Sequence, residues 1–279
     1  MSSLNTPSFL TWPFLILALA MPLRAEELPP DRLEAWQEYI RLTESRIAAE
    51  LAAAGQSFLA QDFDDPDTAE QDREALRRGR SVIRSMTSRR PDGSEIDVPG
   101  GMIHHWRGAI LIPGVTLDDV LGNVMYPDAP EFQQEDVLET RVLERGPDWL
   151  RVYMKLVRSK VVTATYNTEH QVEYSRAGRG RASSRTVATR IRELADEGTP
   201  DEREKAPDRD RGFLWRLNSY WRYAEVDLGV LVECESITLS RSIPFFAAML
   251  VRPIVNSVAR ESLDRTLTSM RERIASGDR

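Results

Sequence analysis

The strongest constraint on this chain is a succession of extended segments with no helix pattern between them. Residues 136–143, 150–162, 166–175 and 182–194 each read as strands, separated by the turn signals Gly146-Pro147-Asp148 and Gly178-Arg179-Gly180. After a charged loop over 195–212, residues 213–224 and 230–241 read as a hairpin turning around Asp227-Leu228-Gly229. Parallel neighbours need a crossover of roughly a dozen residues or more, which turns this short do not supply. The strands therefore pair antiparallel, and a sheet of that kind needs helices to cover it.

Those helices are visible at both ends. Residues 245–274 carry one long helical pattern, with Leu263, Leu267, Met270 and Ile274 as its apolar stripe. Pro253 predicts a kink or a restart within it. At the other end, Asp31 after Pro29-Pro30 reads as a helix cap, with Glu34 placed to return the bond. Leu33, Trp36, Ile40, Ile47 and Leu51 then recur at helical spacing, and Gly55 is placed to end the helix. The acidic stretch 61–74 reads as an exposed connection. Residues 81–87 read as a short strand, and 103–112 as a longer one stopped by Pro113-Gly114. Thr116 to Asp119 opens a short helix that ends before Tyr126-Pro127. The class is α+β: a curved antiparallel sheet with helices on one face.

The apolar run Phe14 to Met21 is too short to span a membrane and is followed by small-residue cleavage steps at Ala20 and Ala25. It resembles a secretory signal peptide. The expected organisation is a signal peptide over 1–25, a helical extension with its connection over 26–97, and a ligand-binding domain over 98–279, in a secreted or periplasmic protein.

Composition narrows the chemistry. A net charge of −7 removes the bulk attraction that sequence-independent nucleic-acid binding requires. The single Cys234 forbids an intrachain disulfide and sits in register with Val230 and Val232, as a core residue would. Adjacent His104 and His105 point to opposite faces of a strand, and His170 alone does not complete a metal site, so neither a metal nor another cofactor is expected. One of the pair is expected half-buried and the other exposed. No nucleophile elbow, phosphate-binding glycine loop or dinucleotide fingerprint is present.

Strand alternation separates the faces. Leu150, Val152, Met154 and Leu156 share one, against Arg151, Tyr153 and Lys155. On the penultimate strand Phe213, Trp215, Leu217, Trp221 and Tyr223 share a face, and Arg216, Asn218, Tyr220 and Arg222 the other. Pairing about the turn sets Arg222 near Glu233 and Tyr220 near Glu235. Two readings of that polar set stand: a solvated outer face, or the polar part of an internal cavity. The small side chains Ala182, Ser184, Thr186 and Ala188 share a face that either receives a helix tightly or leaves room for a ligand.

The opening strand IHHWRGAILIPG, the short helix after Thr116, the segment Gly212 to Arg222, the run GVLVECESITLSRSIP and the terminal helix with Arg260-Glu261-Ser262-Leu263 resemble the START-like (SRPBCC, helix-grip) superfamily, and within it secreted bacterial members. That resemblance spans about 60% of the chain, from Gly101 to Arg273. It implies a sheet wrapped around the C-terminal helix, with a cavity between them for a hydrophobic small molecule or lipid. It carries no shared catalytic residues, so no catalytic residue is assigned. The expected ligand-binding residues are Trp215, Trp221, Tyr223, Met154, Ser184, Thr186, His104 and Tyr220. Two other functions remain open: a polyketide cyclase-like enzyme using His104 or His105 with Tyr220 and Glu235 as acid–base groups, and an envelope or membrane partner docked on the 33–51 helix.

Overall fold

The computed structural model of the chain describes residues 28–53, 55, 57–126, 136–159, 163–206, 209–242 and 245–276, with backbone alone at 159, 245–258 and 276. The run 14–21 and both cleavage steps lie outside the described residues.

The elements in order are α1 (Pro30–Leu51), a 3-10 turn (Ala60–Phe63), α2 (Pro66–Arg77), β1 (Val82–Ser85), β2 (Gly101–Pro113), α3 (Leu117–Val124), β3 (Val137–Arg145), β4 (Trp149–Ser159), β5 (Thr163–Arg176), β6 (Arg181–Ala195), β7 (Arg203–Glu204), β8 (Arg216–Val226), β9 (Gly229–Arg241) and α4 (Phe245–Ser276). All the strand pairings described are antiparallel, in the order β1-β2-β9-β8-β6-β5-β4-β3, with the short β7 paired to β6.

The hairpin forms in the expected register, Arg222 opposite Glu233 and Tyr220 opposite Glu235. Gly229, at φ +141°, lets the turn pass the end of β2; a Cβ there would stand 2.1 Å from the Ile112 carbonyl oxygen. Thr116 caps α3 in a reciprocal box with Asp119.

Other expectations are corrected. Pro30 begins α1 at a first-turn position where its missing N–H is no loss, so Asp31 lies in the first turn instead of capping it. The acidic stretch is largely helical: Asp65 accepts from the Thr68 N–H, Pro66 follows, and α2 buries Ala69, Asp72 and Leu76. α4 runs through Pro253 as one helix.

One turn of α4 holds both edges of the sheet. Asp264 accepts a hydrogen bond from Ser81, just before edge strand β1. Ser262 and Arg265 donate to Asp136, just before the opposite edge strand β3, at 3.1 and 3.0 Å. A sheet whose two edges meet on one helical turn must curl around that helix. Leu263, Leu267, Met270 and Ile274 pack on Ile110, Ile112, Val230, Val232 and Cys234, each such side chain contributing about 1.5–3 kcal/mol. At the contact stands Gly108, where a Cβ would come within 2.6 Å of a Leu267 methyl.

Candidate functional site

The sheet has two covered faces of different character. The inner face looks toward α4; the outer face of β2, β9 and β8 lies under α1 and α2.

On the inner face, strand β5 alternates from Tyr166 onward: Tyr166, Thr168, His170 and Val172 are buried, while Asn167, Glu169 and Gln171 are not. β6 sets Ala182, Ser184, Thr186 and Ala188 beside them, pairing with Arg176, Tyr174, Val172 and His170. Thr189 has no partner in the ladder there, a bulge that turns Ile191 and Glu193 onto the face that even-numbered residues held before it. Trp221 and Tyr223 of β8 stack with rings nearly parallel, 4° apart in plane and 6.4 Å between centroids. Met154 and Tyr174 pack on Leu150, Val152 and Val172.

At one end of this face Glu193 is paired with Lys205 and Arg211, whereas the polar atoms at its middle are sparsely matched. Thr168 donates to the Met154 carbonyl at 2.9 Å and lies 2.8 Å from His170 Nε2. His170 Nδ1 and the Tyr166 hydroxyl are buried without any hydrogen-bond partner. The Tyr223 and Ser184 hydroxyls stand 3.5 Å apart, longer than a good O–H···O bond. Burial pushes the His170 imidazole down to about 4, so it is neutral at pH 7. Burial also pushes the Tyr166 phenol upward, assisted by the nearby Glu193 charge.

The outer face is densely paired. The Tyr39 hydroxyl of α1 accepts from the Ser88 N–H at 3.0 Å and lies 2.7 Å from His105 Nδ1; His105 Nε2 donates to Glu235 at 2.6 Å. Arg46 bridges Glu235 and Glu50, and Arg222 bridges Glu50 and the Phe58 carbonyl. Arg107 binds Asp64, and the Gln61 N–H donates to Glu233 at 3.0 Å. Burial alone would raise the Glu235 carboxyl, but the His105 hydrogen bond and the neighbouring Arg46 and Arg222 charges outweigh it and hold it below its usual range. Glu233 goes the other way, its burial exceeding the pull of Arg107 and Arg222.

The expected site residues divide between these faces. Met154, Ser184, Thr186, Trp221 and Tyr223 share the inner one. His104 is buried, its Nε2 3.0 Å from the Ser240 hydroxyl. Trp215 and Tyr220 do not join them. β8 starts only at Arg216, and Trp215 packs against the α1 cluster with Arg32 over its ring at 4.5 Å. Tyr220 packs there too, donating to Glu44 of α1 at 2.9 Å. Phe213 precedes the strand and is exposed. Both His104 and His105 are buried, correcting the expectation that one is exposed. The polar set of Tyr220, Arg222 and Glu235 is neither solvated nor turned toward α4: it is sealed beneath α1. Of the acid–base group, His105, Tyr220 and Glu235 come together, but under α1 and not on the side facing α4, and His104 stands apart from them. The stripe of α1 is itself buried through Trp36, Tyr39, Ile40 and Ile47, so it presents no docking face. Among the described residues no cluster of metal-ligating side chains occurs.

Sequence reading missed Tyr166, Thr168 and His170 as a group. Their signal was the even-numbered alternation of β5, obscured because polar residues occupy both of its faces. A groove of about 610 Å³ on β4–β6, lined largely by outer-face residues such as Arg151, Gln171, Glu173 and Arg185, is open and has paired charges, Arg151 with Glu144 at 3.1 Å and Arg185 with Glu44 at 2.7 Å.

A sheet curled around a C-terminal helix that ties both its edges is the START-like helix-grip fold. No family model and no curated protein matches the chain. Solved structures similar to it include a STAR-related lipid transfer protein fragment from Xanthomonas axonopodis, at 19% identity over 64% of this chain and 95% of that one, TM-score 0.44. The human StAR-related lipid transfer protein 5 is 10% identical over 89% of this chain and 100% of that one, TM-score 0.39. The Zhui aromatase/cyclase of a Streptomyces species is 12% identical over 64% and 97%, TM-score 0.40.

Proposed function

We propose that this chain is an exported protein that binds an apolar or amphipathic small molecule, lipid-like in character, between the inner face of β4–β8 and α4, without chemical conversion. The observation that carries the reading is the clamp at Ser262, Asp264 and Arg265. By tying both sheet edges to one turn, it turns the small side chains of β6 and the stacked Trp221 and Tyr223 toward α4, with Ala182, Ser184, Ala188 and Tyr223 buried. Such a surface, apolar with a few convergent polar groups, is what small-molecule sites are made of. Export rests on the run 14–21 with its small-residue steps.

Native mass spectrometry of protein purified from its producing cell tests the binding. A co-purified apolar molecule, released on denaturation, is the expected result. A bare polypeptide mass that stays unchanged on incubation with alkyl chains, sterols and aromatic polyketides overturns it. N-terminal sequencing of the mature protein tests export: a start at Met21 or Glu26 is expected, and an intact Met1 in the cytoplasm overturns it.

A further inference from the structure

His170 reads differently from the other two histidines. The Thr168 hydroxyl has one proton, and its 2.9 Å approach to the Met154 carbonyl commits that proton there, because a carbonyl oxygen only accepts. At 2.8 Å from His170 Nε2, the Thr168 oxygen therefore acts as the acceptor. The ring proton sits on Nε2, and Nδ1 carries a bare lone pair. That lone pair is buried, with no donor from the protein. Its cross-strand neighbours are Val152 and Ala188, neither of which has a side-chain donor. Ala188 and, two residues along the same face of β6, Thr186 set only short side chains beside the ring. A buried polar atom left unmatched is costly, so an atom held in that state by a neighbour that fixes its tautomer is prepared for something the chain itself does not supply.

We infer that His170 Nδ1 accepts a hydrogen bond from the hydroxyl group of the bound molecule, so that the ligand is a neutral, alcohol-bearing apolar compound and not a carboxylate. This deepens the binding role proposed above and rests on it. An ionised carboxylate has no proton to offer, and its charge faces the lone pair. An ester or ether of the same length fills the same volume but leaves Nδ1 unmatched. Burial keeps the ring neutral across the physiological range, so it does not turn into a cation that would invite an anion.

Displacement of Nile red by hexadecanol, by its methyl ether and by hexadecanoate tests this with the full mature chain. Hexadecanol is expected to bind about tenfold more tightly than the ether, the ratio one hydrogen bond supplies. The variant H170F is expected to bind the two equally, and H170Q, which restores an acceptor oxygen, to recover part of the preference. Nitrogen-15 NMR of the unaltered chain gives a second readout that needs no variant: the Nδ1 resonance moves on addition of hexadecanol and stays put with the ether. Equal binding of alcohol and ether by the unaltered chain, or tighter binding of hexadecanoate, overturns the inference while leaving the binding role intact. Binding of none of the three, with no alkyl, sterol or aromatic compound bound either, removes the binding role itself.

Discussion

The layer under α1 and the middle of the inner face bury polar groups in opposite ways. Beneath α1, Arg46, Arg107 and Arg222 are matched to Glu50, Asp64, Glu233 and Glu235, and both nitrogens of His105 have partners. On the α4 side, His170 keeps one nitrogen unmatched and Tyr166 its hydroxyl. A buried charge survives only when paired, so the first arrangement is what a structural seal requires. Glu235 Oε2 and Gln61 Oε1 are the unpartnered acceptors of the sealed side, and Glu235 still has two partners on its other oxygen. The contrast separates polar atoms that hold the fold from polar atoms that, on the proposed reading, meet a bound molecule.

The sharpest break of that contrast is R222A. Removing the guanidinium leaves Glu50 short of a partner and Glu233 short of a compensating charge, and urea unfolding should show a loss of about 3–5 kcal/mol. A loss below about 1 kcal/mol would mean that water reaches the layer under α1, and the seal would be no seal.

Acid should act on the inner face in a window of its own. The folded chain takes up the His170 proton only near pH 4, whereas the unfolded chain takes it up at 6.5. The stability tied to the neutral ring is fully present above the unfolded value and is lost as pH falls from 6.5 toward 4, by about 3 kcal/mol. Glu235, with its carboxyl held low, also contributes stability that is lost on acidification, but only below its ordinary 4.5. H170F should therefore flatten the unfolding free energy between pH 6.5 and 4 and leave the steeper fall below it. An unchanged slope in the variant would show that the ring is solvated.

Between these faces stands Gly108, where α4 meets β2. G108A adds a methyl within 2.6 Å of Leu267 and 2.9 Å of Leu263 and Ile83. Overpacking of this kind should cost about 1–3 kcal/mol by thermal or urea unfolding. A neutral result would show that α4 is free to ride away from the sheet.

How far these faces were legible in the sequence depends on how local the deciding physics is. The hairpin register, the Thr116 cap and the antiparallel order are set by turn residues and period-two alternation within a few positions, and all were readable. α2 was not, because its Asp65-Pro66 start lies in an acidic stretch whose buried stripe is Ala69, Asp72 and Leu76. β8 and β9 are buried on both faces, so alternation divided Tyr220 from Trp221 correctly but gave no means of telling which set faced α4. That depended on α1 folding back across a distant stretch of chain. Trp215 was misplaced because alternation was extended past the true strand start at Arg216. His170 was weighed only as a metal ligand; its tautomer depends on Met154 of the neighbouring strand, and no one-strand pattern encodes that.

The smallest stability effect should come from the inner face itself, at Ser184. Its hydroxyl stands 3.5 Å from that of Tyr223, too long for a strong bond, and its neighbours along the strand face are Ala182 and Thr186. S184A removes one oxygen without opening an internal void, so urea unfolding should change by less than about 0.5 kcal/mol. Ligand binding should change more, because the Ser184 oxygen and the Tyr223 hydroxyl are both left to find partners in the bound molecule. Displacement of Nile red by hexadecanol, compared between S184A and the unaltered chain, reads the difference. On the outer face a polar deletion should cost stability; at Ser184 the same kind of deletion should cost affinity and leave stability nearly unchanged. A stability loss at Ser184 comparable to that at Arg222 would erase the distinction, because the inner polar atoms would then be holding the fold as well.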